Sequence, residues 1–121
     1  GERGLPPLPQ IDCRLPVQAG GGRDLVVRLE LSDPVVRVIC HHRPMLQFRP
    51  FSQAPMRRAS AGEYELLIPF SEIGSICGLM LFFELRMIGG EARRWPDWRE
   101  GAPYLVVGTT ATGDKRMRRT T

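Results

Sequence analysis

The sequence predicts an all-β domain, an antiparallel sandwich of about seven short strands in two sheets packed face to face. Three observations carry that expectation. Apolar and polar residues alternate at period two in several segments, clusters of Gly and Pro separate those segments, and no stretch carries a sustained helical period.

Residues 1–10 include Pro6, Pro7 and Pro9 and lack periodicity, which predicts a semi-rigid linker. Residues 11–17 are expected to form a short edge strand, because Pro16 is tolerated at a sheet edge and not at its centre. Gly20, Gly21 and Gly22 mark a turn. Over residues 24–32, Leu25, Val27, Leu29 and Leu31 fall on one face, and Val26, Arg28, Glu30 and Ser32 on the other. That is the pattern of a half-buried antiparallel strand. Ser32-Asp33-Pro34 supplies the turn. Residues 36–43 form the next strand, with Val38, Cys40 and His42 inward and Arg37, Ile39 and His41 outward. Pro44 ends it, having no N–H to donate to a ladder.

Residues 48–58 contain Pro50 and Pro55 and suit an irregular edge strand. After a turn over 59–62, the strand at 63–68 places Tyr64, Leu66 and Ile68 on one face and Glu63, Glu65 and Leu67 on the other. Pro69 closes it, and Ser71-Glu72-Ile73-Gly74 reads as a brief helical turn capped by Ser71. Residues 79–88 are apolar on both faces for most of their length, with Leu79, Leu81, Phe83 and Leu85 on one and Met80 and Phe82 on the other. Such a strand is central, and something covers its second face. Gly89-Gly90 makes a hairpin turn. The partner strand runs over 91–95 and resumes over 104–107, after a loop that begins Trp95-Pro96-Asp97-Trp98. The sandwich is therefore expected to occupy residues 11–107, and 108–121 to be a basic, flexible tail.

At 121 residues the chain fits one domain, large enough to bury a core without disulfides or a metal. No run reaches the roughly 18–20 apolar residues of a membrane span. The start lacks the basic section and apolar run of a signal peptide, so the chain is expected to be a piece of a longer polypeptide. The net charge of +4 points to a polyanion partner only until the charges are placed. Residues 108–121 hold four basic residues, Lys115, Arg116, Arg118 and Arg119, against Asp114, a net of +3. Residues 1–107 then carry 13 basic and 12 acidic residues, or +1. No nucleic-acid partner is expected from a nearly neutral body with a short basic tail.

Catalytic patterns are missing from the sequence. Cys13, Cys40 and Cys77 include no Cys-x-x-Cys pair, and His41 and His42 point to opposite faces of a strand and cannot converge on one metal. A Cys40–Cys77 disulfide stays open beside the reading of all three as small buried apolar side chains. No Gly-x-Ser-x-Gly elbow stands near a histidine, and Gly20 to Gly22 lacks the Lys and helix of a phosphate loop. Glu63, Glu65, Glu84 and Asp97 are the carboxylates in number that a glycosidase would require, but Glu63 and Glu65 share an outward face, where acids ordinarily serve solubility. Neither enzymatic activity nor a metal or other cofactor is expected, and His41 is expected to be exposed and His42 packed.

Several residues together resemble a known family. Asp33-Pro34, the strand ending His42-Arg43-Pro44, Met56, Gly62-Glu63-Tyr64 through Ile68-Pro69, the apolar strand from Leu79, Trp95-Pro96-Asp97 and Ala102-Pro103-Tyr104 resemble a bacterial fibronectin type III-like or immunoglobulin-like (early-set) module. The resemblance spans roughly residues 24–107. A tyrosine commonly stands where this chain has His42, and another near Leu81. The resemblance implies an accessory module of a larger secreted or cell-envelope protein, often one attached to a polysaccharide-active enzyme.

Two candidate sites follow. Trp95 and Trp98, with Arg93, Arg94, Asp97 and Arg99 beside them, are placed to stack on sugar rings and hydrogen-bond hydroxyls, the signature of a carbohydrate-binding module. The competing account has one or both indoles closing the open end of the sandwich, Trp95 as anchor and Trp98 more exposed. The second candidate is an outward apolar patch of Ile39, Leu67, Met80 and Phe82, which if uncovered marks a surface for a neighbouring domain of the same polypeptide. The alternative is that residues 48–56 fold over it. The preferred expectation is a noncatalytic docking module, with polysaccharide binding as the rival.

Overall fold

Period-two alternation becomes strand structure in the computed structural model, which describes residues 8–16, 24–45, 50–69, 78–97, 104–107 and 114–119. The strands are β1 (Ile11–Pro16), β2 (Leu25–Leu31), β3 (Arg37–Pro44), β4 (Ser52–Pro55), β5 (Arg57–Ser60), β6 (Glu63–Ile68), β7 (Leu79–Arg86), β8 (Ala92–Trp95), β9 (Leu105–Val107) and β10 (Asp114–Arg119). Every pairing is antiparallel, one sheet running β10-β1-β2-β6-β5 and the other β4-β3-β7-β8, with β9 also on β7. The described residues thus form an all-β, two-sheet sandwich without a helix.

The inner faces are those the alternation selects. Leu25, Val27, Leu29 and Leu31 of β2 are buried, as are Leu79, Leu81, Phe83 and Leu85 of β7, and Tyr64 and Ile68 of β6. Each such side chain removed from water contributes about 1.5–3 kcal/mol. The β7 strand is central, flanked by β3 on one side and by β8 and β9 on the other. Its residues 83–86 pair with β8 and 79–81 with β9, so the interrupted last strand is two ladders on one edge of β7. The hairpin between β7 and β8 closes with the Met87 N–H donating to Glu91 C=O at 2.8 Å and the Gly90 N–H to Met87 C=O at 2.9 Å. Gly90 adopts φ +103°, a region that glycine enters without a Cβ penalty.

Four expectations change. Among the described residues ten strands replace about seven, in part because residues 52–60 are divided between two strands. Pro55 ends β4 at the edge of one sheet, buried Met56 crosses the gap with its N–H on Val38 C=O at 2.8 Å, and β5 begins at the edge of the other. β1 is not an edge strand, since β2 lies on one side and β10 on the other. Pro16 fits because the ladder with β2 runs only from Ile11 to Arg14, so Pro16 has a strand on one side alone, as at a sheet edge. The segment expected to be a flexible tail contributes β10, six residues in unbroken register with β1. Finally, His41 is covered although it faces outward, only 8% exposed, whereas His42 is packed as expected. The helical turn at 71–74, the Gly20–22 turn, Cys77 and residues 1–7 lie outside the described residues.

Cys13 and Cys40 are buried and are not joined in a disulfide. Burial pushes the Cys40 thiol from its ordinary value of 9.0 up to about 12, because the thiolate loses its hydration. Between those values the unfolded chain has released its proton and the folded chain has not. Stability from this group is therefore intact below about pH 9 and declines as pH rises, by up to about 1.4 kcal/mol per pH unit. Urea titrations from pH 8 to 10.5 are expected to show this loss, and Cys40→Ala to reduce the slope. An equal slope in both chains would assign the alkaline sensitivity elsewhere.

Candidate functional site

Strand pleat decides what the β4-β3-β7-β8 sheet shows on its outward side. Residues that alternate with the buried set of β7 are Met80, Phe82, Glu84 and Arg86, and in register beside them on β3 stand Arg43, His41, Ile39 and Arg37. β8 adds Arg94 opposite Glu84, and β9 adds Val106 opposite Met80. Phe51 and Tyr104 immediately precede β4 and β9.

These side chains form one cluster outside the core. The His41 ring lies parallel to Phe82 at a centroid distance of 4.4 Å, inclined by 7°. Phe51 meets Phe82 edge-on at 5.0 Å and stacks on Tyr104 at 5.5 Å. The Arg94 guanidinium carbon sits 3.8 Å from the Phe82 centroid and 5.1 Å from that of Tyr104. Arg43 approaches Phe51 at 5.3 Å. Cations over aromatic faces are held by the ring quadrupole, at about 0.5–2 kcal/mol each depending on desolvation. Two acid contacts fix the polar side. A carboxylate only accepts, so the His41 Nε2–H donates to Glu84 Oε1 at 3.0 Å, and Arg86 Nε pairs with Glu84 Oε2 at 2.7 Å. At the turn end of the same sheet Val36 and Ile88 are exposed beside Arg37 and Arg86.

Sequence-expected site residues divide as follows. Ile39, Met80 and Phe82 do share this face. Leu67, 55% exposed, does not join them, because β6 belongs to the other sheet. Nor is the patch bare: Phe51, from the segment considered as a cover, packs on Phe82 together with Arg94 and Tyr104. Trp95 is 3% exposed and stacks on buried Phe83 at 6.1 Å, so it belongs to the core and not to a sugar platform. Asp97 is partly exposed next to it, while Trp98 and Arg99 lie outside the described residues. Arg94, expected beside the tryptophans, instead caps Phe82; Phe51, Tyr104 and the His41–Glu84 pairing are not singled out by the sequence, since their convergence depends on the register of β3, β7, β8 and β9.

The opposite outward face, on the five-stranded sheet, is mostly polar among the described residues, with Leu67 exposed on β6. A shallow depression of about 240 Å³ is bordered by Asp12, Arg14, Arg28, Glu30, Glu63 and Glu65. Arg57 also pairs with Glu65 there, and both signs are interspersed as on an ordinary solvated sheet face. Among the described residues no group of three or more His, Cys, Asp or Glu side chains is placed to hold a metal ion. No helix among them is long and apolar enough to cross a membrane. No protein-family model matches the chain, and the search of curated proteins finds no significant match.

Proposed function

We propose that this chain is a noncatalytic docking module of a larger secreted protein, and that it seats a neighbouring domain on the outward face around Phe82. The observation that carries this reading is the Phe51, Phe82 and Tyr104 cluster capped by Arg94 and Arg43, partly exposed and outside the core. Rigid aromatics with arginine are the composition of protein contact surfaces, because they offer large area at small entropic cost. Arg37, Arg43, Arg86 and Arg94 against Glu84 leave the face cationic, which suits a partner surface with exposed carboxylates.

The family reading is supported by connectivity. In chain order, β1-β2-β6-β5 and β4-β3-β7-β8 correspond to the A-B-E-D and C′-C-F-G sheets of an immunoglobulin-like sandwich, the arrangement that fibronectin type III modules resemble. Attachment to a polysaccharide-active enzyme is the setting which that resemblance implies. The carbohydrate-binding alternative is weakened, having lost Trp95 to the core.

Hydrogen exchange on the parent polypeptide and on the isolated 121-residue chain tests the reading. Amides of β3 and β7 are expected to exchange at least tenfold more slowly in the parent, and Arg94→Glu in the parent to remove that difference. Equal exchange in both would reject docking through this face. Retention of the isolated chain on insoluble polysaccharide, abolished by Trp98→Ala, would favour the rival instead.

A further inference from the structure

We propose that the depression at the turn end of the β4-β3-β7-β8 sheet holds an extended segment of the neighbouring domain, with one of its carboxylates between Arg37 and Arg86 and an adjacent aliphatic side chain against Val36 and Ile88. This rests on the docking reading and names the chemistry of the partner. Register brings the two arginines together. Arg37 begins β3 directly opposite Arg86, which ends β7, and both are exposed on the outward side. Like charges opposed across a ladder weaken it. Glu84, two residues from Arg86, already uses both oxygens: Oε2 meets Arg86 Nε at 2.7 Å and Oε1 accepts from His41 at 3.0 Å. A guanidinium carries five N–H donors, so Arg86 has donors beyond that contact.

The apolar half of the site lies just beyond the arginine pair. The Val36 N–H donates to Arg86 C=O at 2.8 Å, which sets Val36 beside the turn that follows β7. Among the described residues three large apolar side chains are more than half exposed. Two of them, Val36 at 68% and Ile88 at 69%, border one depression of about 380 Å³. Its other borders are Arg37, Arg86, Met87 and Gly90, with no acid among them. Glu91 belongs to the same hairpin, but its carboxylate lies against Gly89. The site therefore combines exposed aliphatic surface with two cations.

That combination selects the occupant. A carboxylate accepts two parallel N–H bonds from a guanidinium, and one placed between two guanidinia also removes their mutual repulsion. Asp or Glu next to Leu, Ile or Val supplies the acid and the aliphatic group from consecutive residues of an extended chain. A basic segment is repelled by the same pair. The site also continues the face around Phe82, because Phe82, Glu84 and Arg86 alternate along the outward side of β7. Four residues of strand separate Phe82 from Arg86, about 13 Å. A domain seated on Phe82 reaches the depression along the same sheet.

Zero-length carbodiimide coupling in the parent polypeptide tests this, because it joins an amine only to a carboxylate in contact with it. Arg37→Lys and Arg86→Lys keep the charge and supply the amine. Each variant is expected to form an amide bond to an Asp or Glu outside the 121-residue chain, mapped by mass spectrometry of the digest, with Leu, Ile or Val within two residues of that acid. Adding Val36→Ser and Ile88→Ser, both at exposed positions, is expected to lower the coupling yield at least threefold without changing the melting temperature. The proposal is overturned by coupling only to acids of the chain itself, by coupling to an acid with no aliphatic neighbour, by full yield in the serine variant, or by no coupling. Hydrogen exchange on the same parent variants separates this contact from the docking reading. If the β3 and β7 amides stay protected without coupling, docking around Phe82 stands and the carboxylate contact falls; if protection is also absent, both fall.

Discussion

Trp95→Ala is expected to cost the domain about 3–5 kcal/mol, the usual range for truncating a buried large aromatic. Trp95 ends β8, is nearly inaccessible, and lies over Phe83 with the ring planes 20° apart. Phe83 is itself fully buried in the central strand, so the void opens against the core although β8 is an edge strand. A domain of this size has roughly 5–15 kcal/mol of stability in all. The variant should melt on the order of 10–20 °C lower, or fail to fold at all. Trp95→Phe keeps a ring against Phe83 and should lose markedly less. Calorimetry on the three chains checks this. An unchanged melting temperature in Trp95→Ala would return the indole to the surface and reopen its role in sugar stacking.

Why the sequence supported two readings for Trp95 is physical. A tryptophan flanked by Pro96, Asp97 and Trp98 has the composition of a loop, and loop composition says nothing of which way the indole points. The outcome depends on the pairing of Phe83 with Trp95 across β7 and β8, a contact set by register. The strands themselves were legible wherever one face was uniformly apolar: Leu25, Val27, Leu29 and Leu31 specify their own burial, as do Leu79 through Leu85 at alternate positions. Strands whose existence rests on a partner were not. β10 is charged at every position but Met117 and has no alternation to detect, so its pairing depends on the edge that β1 offers. The outward cluster lay between these cases. Met80 and Phe82 announced a covered second face, while the cover itself, Phe51, Arg94 and Tyr104, comes from three separate points in the chain. Leu67 looked equivalent to Phe82 because alternation assigns inside and outside but not which sheet a strand joins.

Gly62→Ala carries the other large expected effect, and here the backbone decides. Gly62 turns the chain from β5 into β6 at φ +77°, a region that disfavours a residue with a Cβ. A Cβ built there would also stand 2.7 Å from the Leu31 carbonyl oxygen. That oxygen belongs to backbone held in place, because the Leu31 N–H donates to the Gly62 C=O at 2.8 Å and ties the end of β2 to the turn. Neither partner gives way without loosening the β2–β6 ladder, whose register runs as far as Glu30↔Glu63. The positive φ alone costs on the order of 1–3 kcal/mol, and the close approach adds to it. Gly90→Ala is the control: φ is again positive, +103°, but nothing lies within 4 Å of the added Cβ. Gly62→Ala is therefore expected to shift the urea midpoint clearly further than Gly90→Ala, with m unchanged. Equal shifts would mean that conformational strain accounts for the whole loss and that the Leu31 carbonyl moves aside freely.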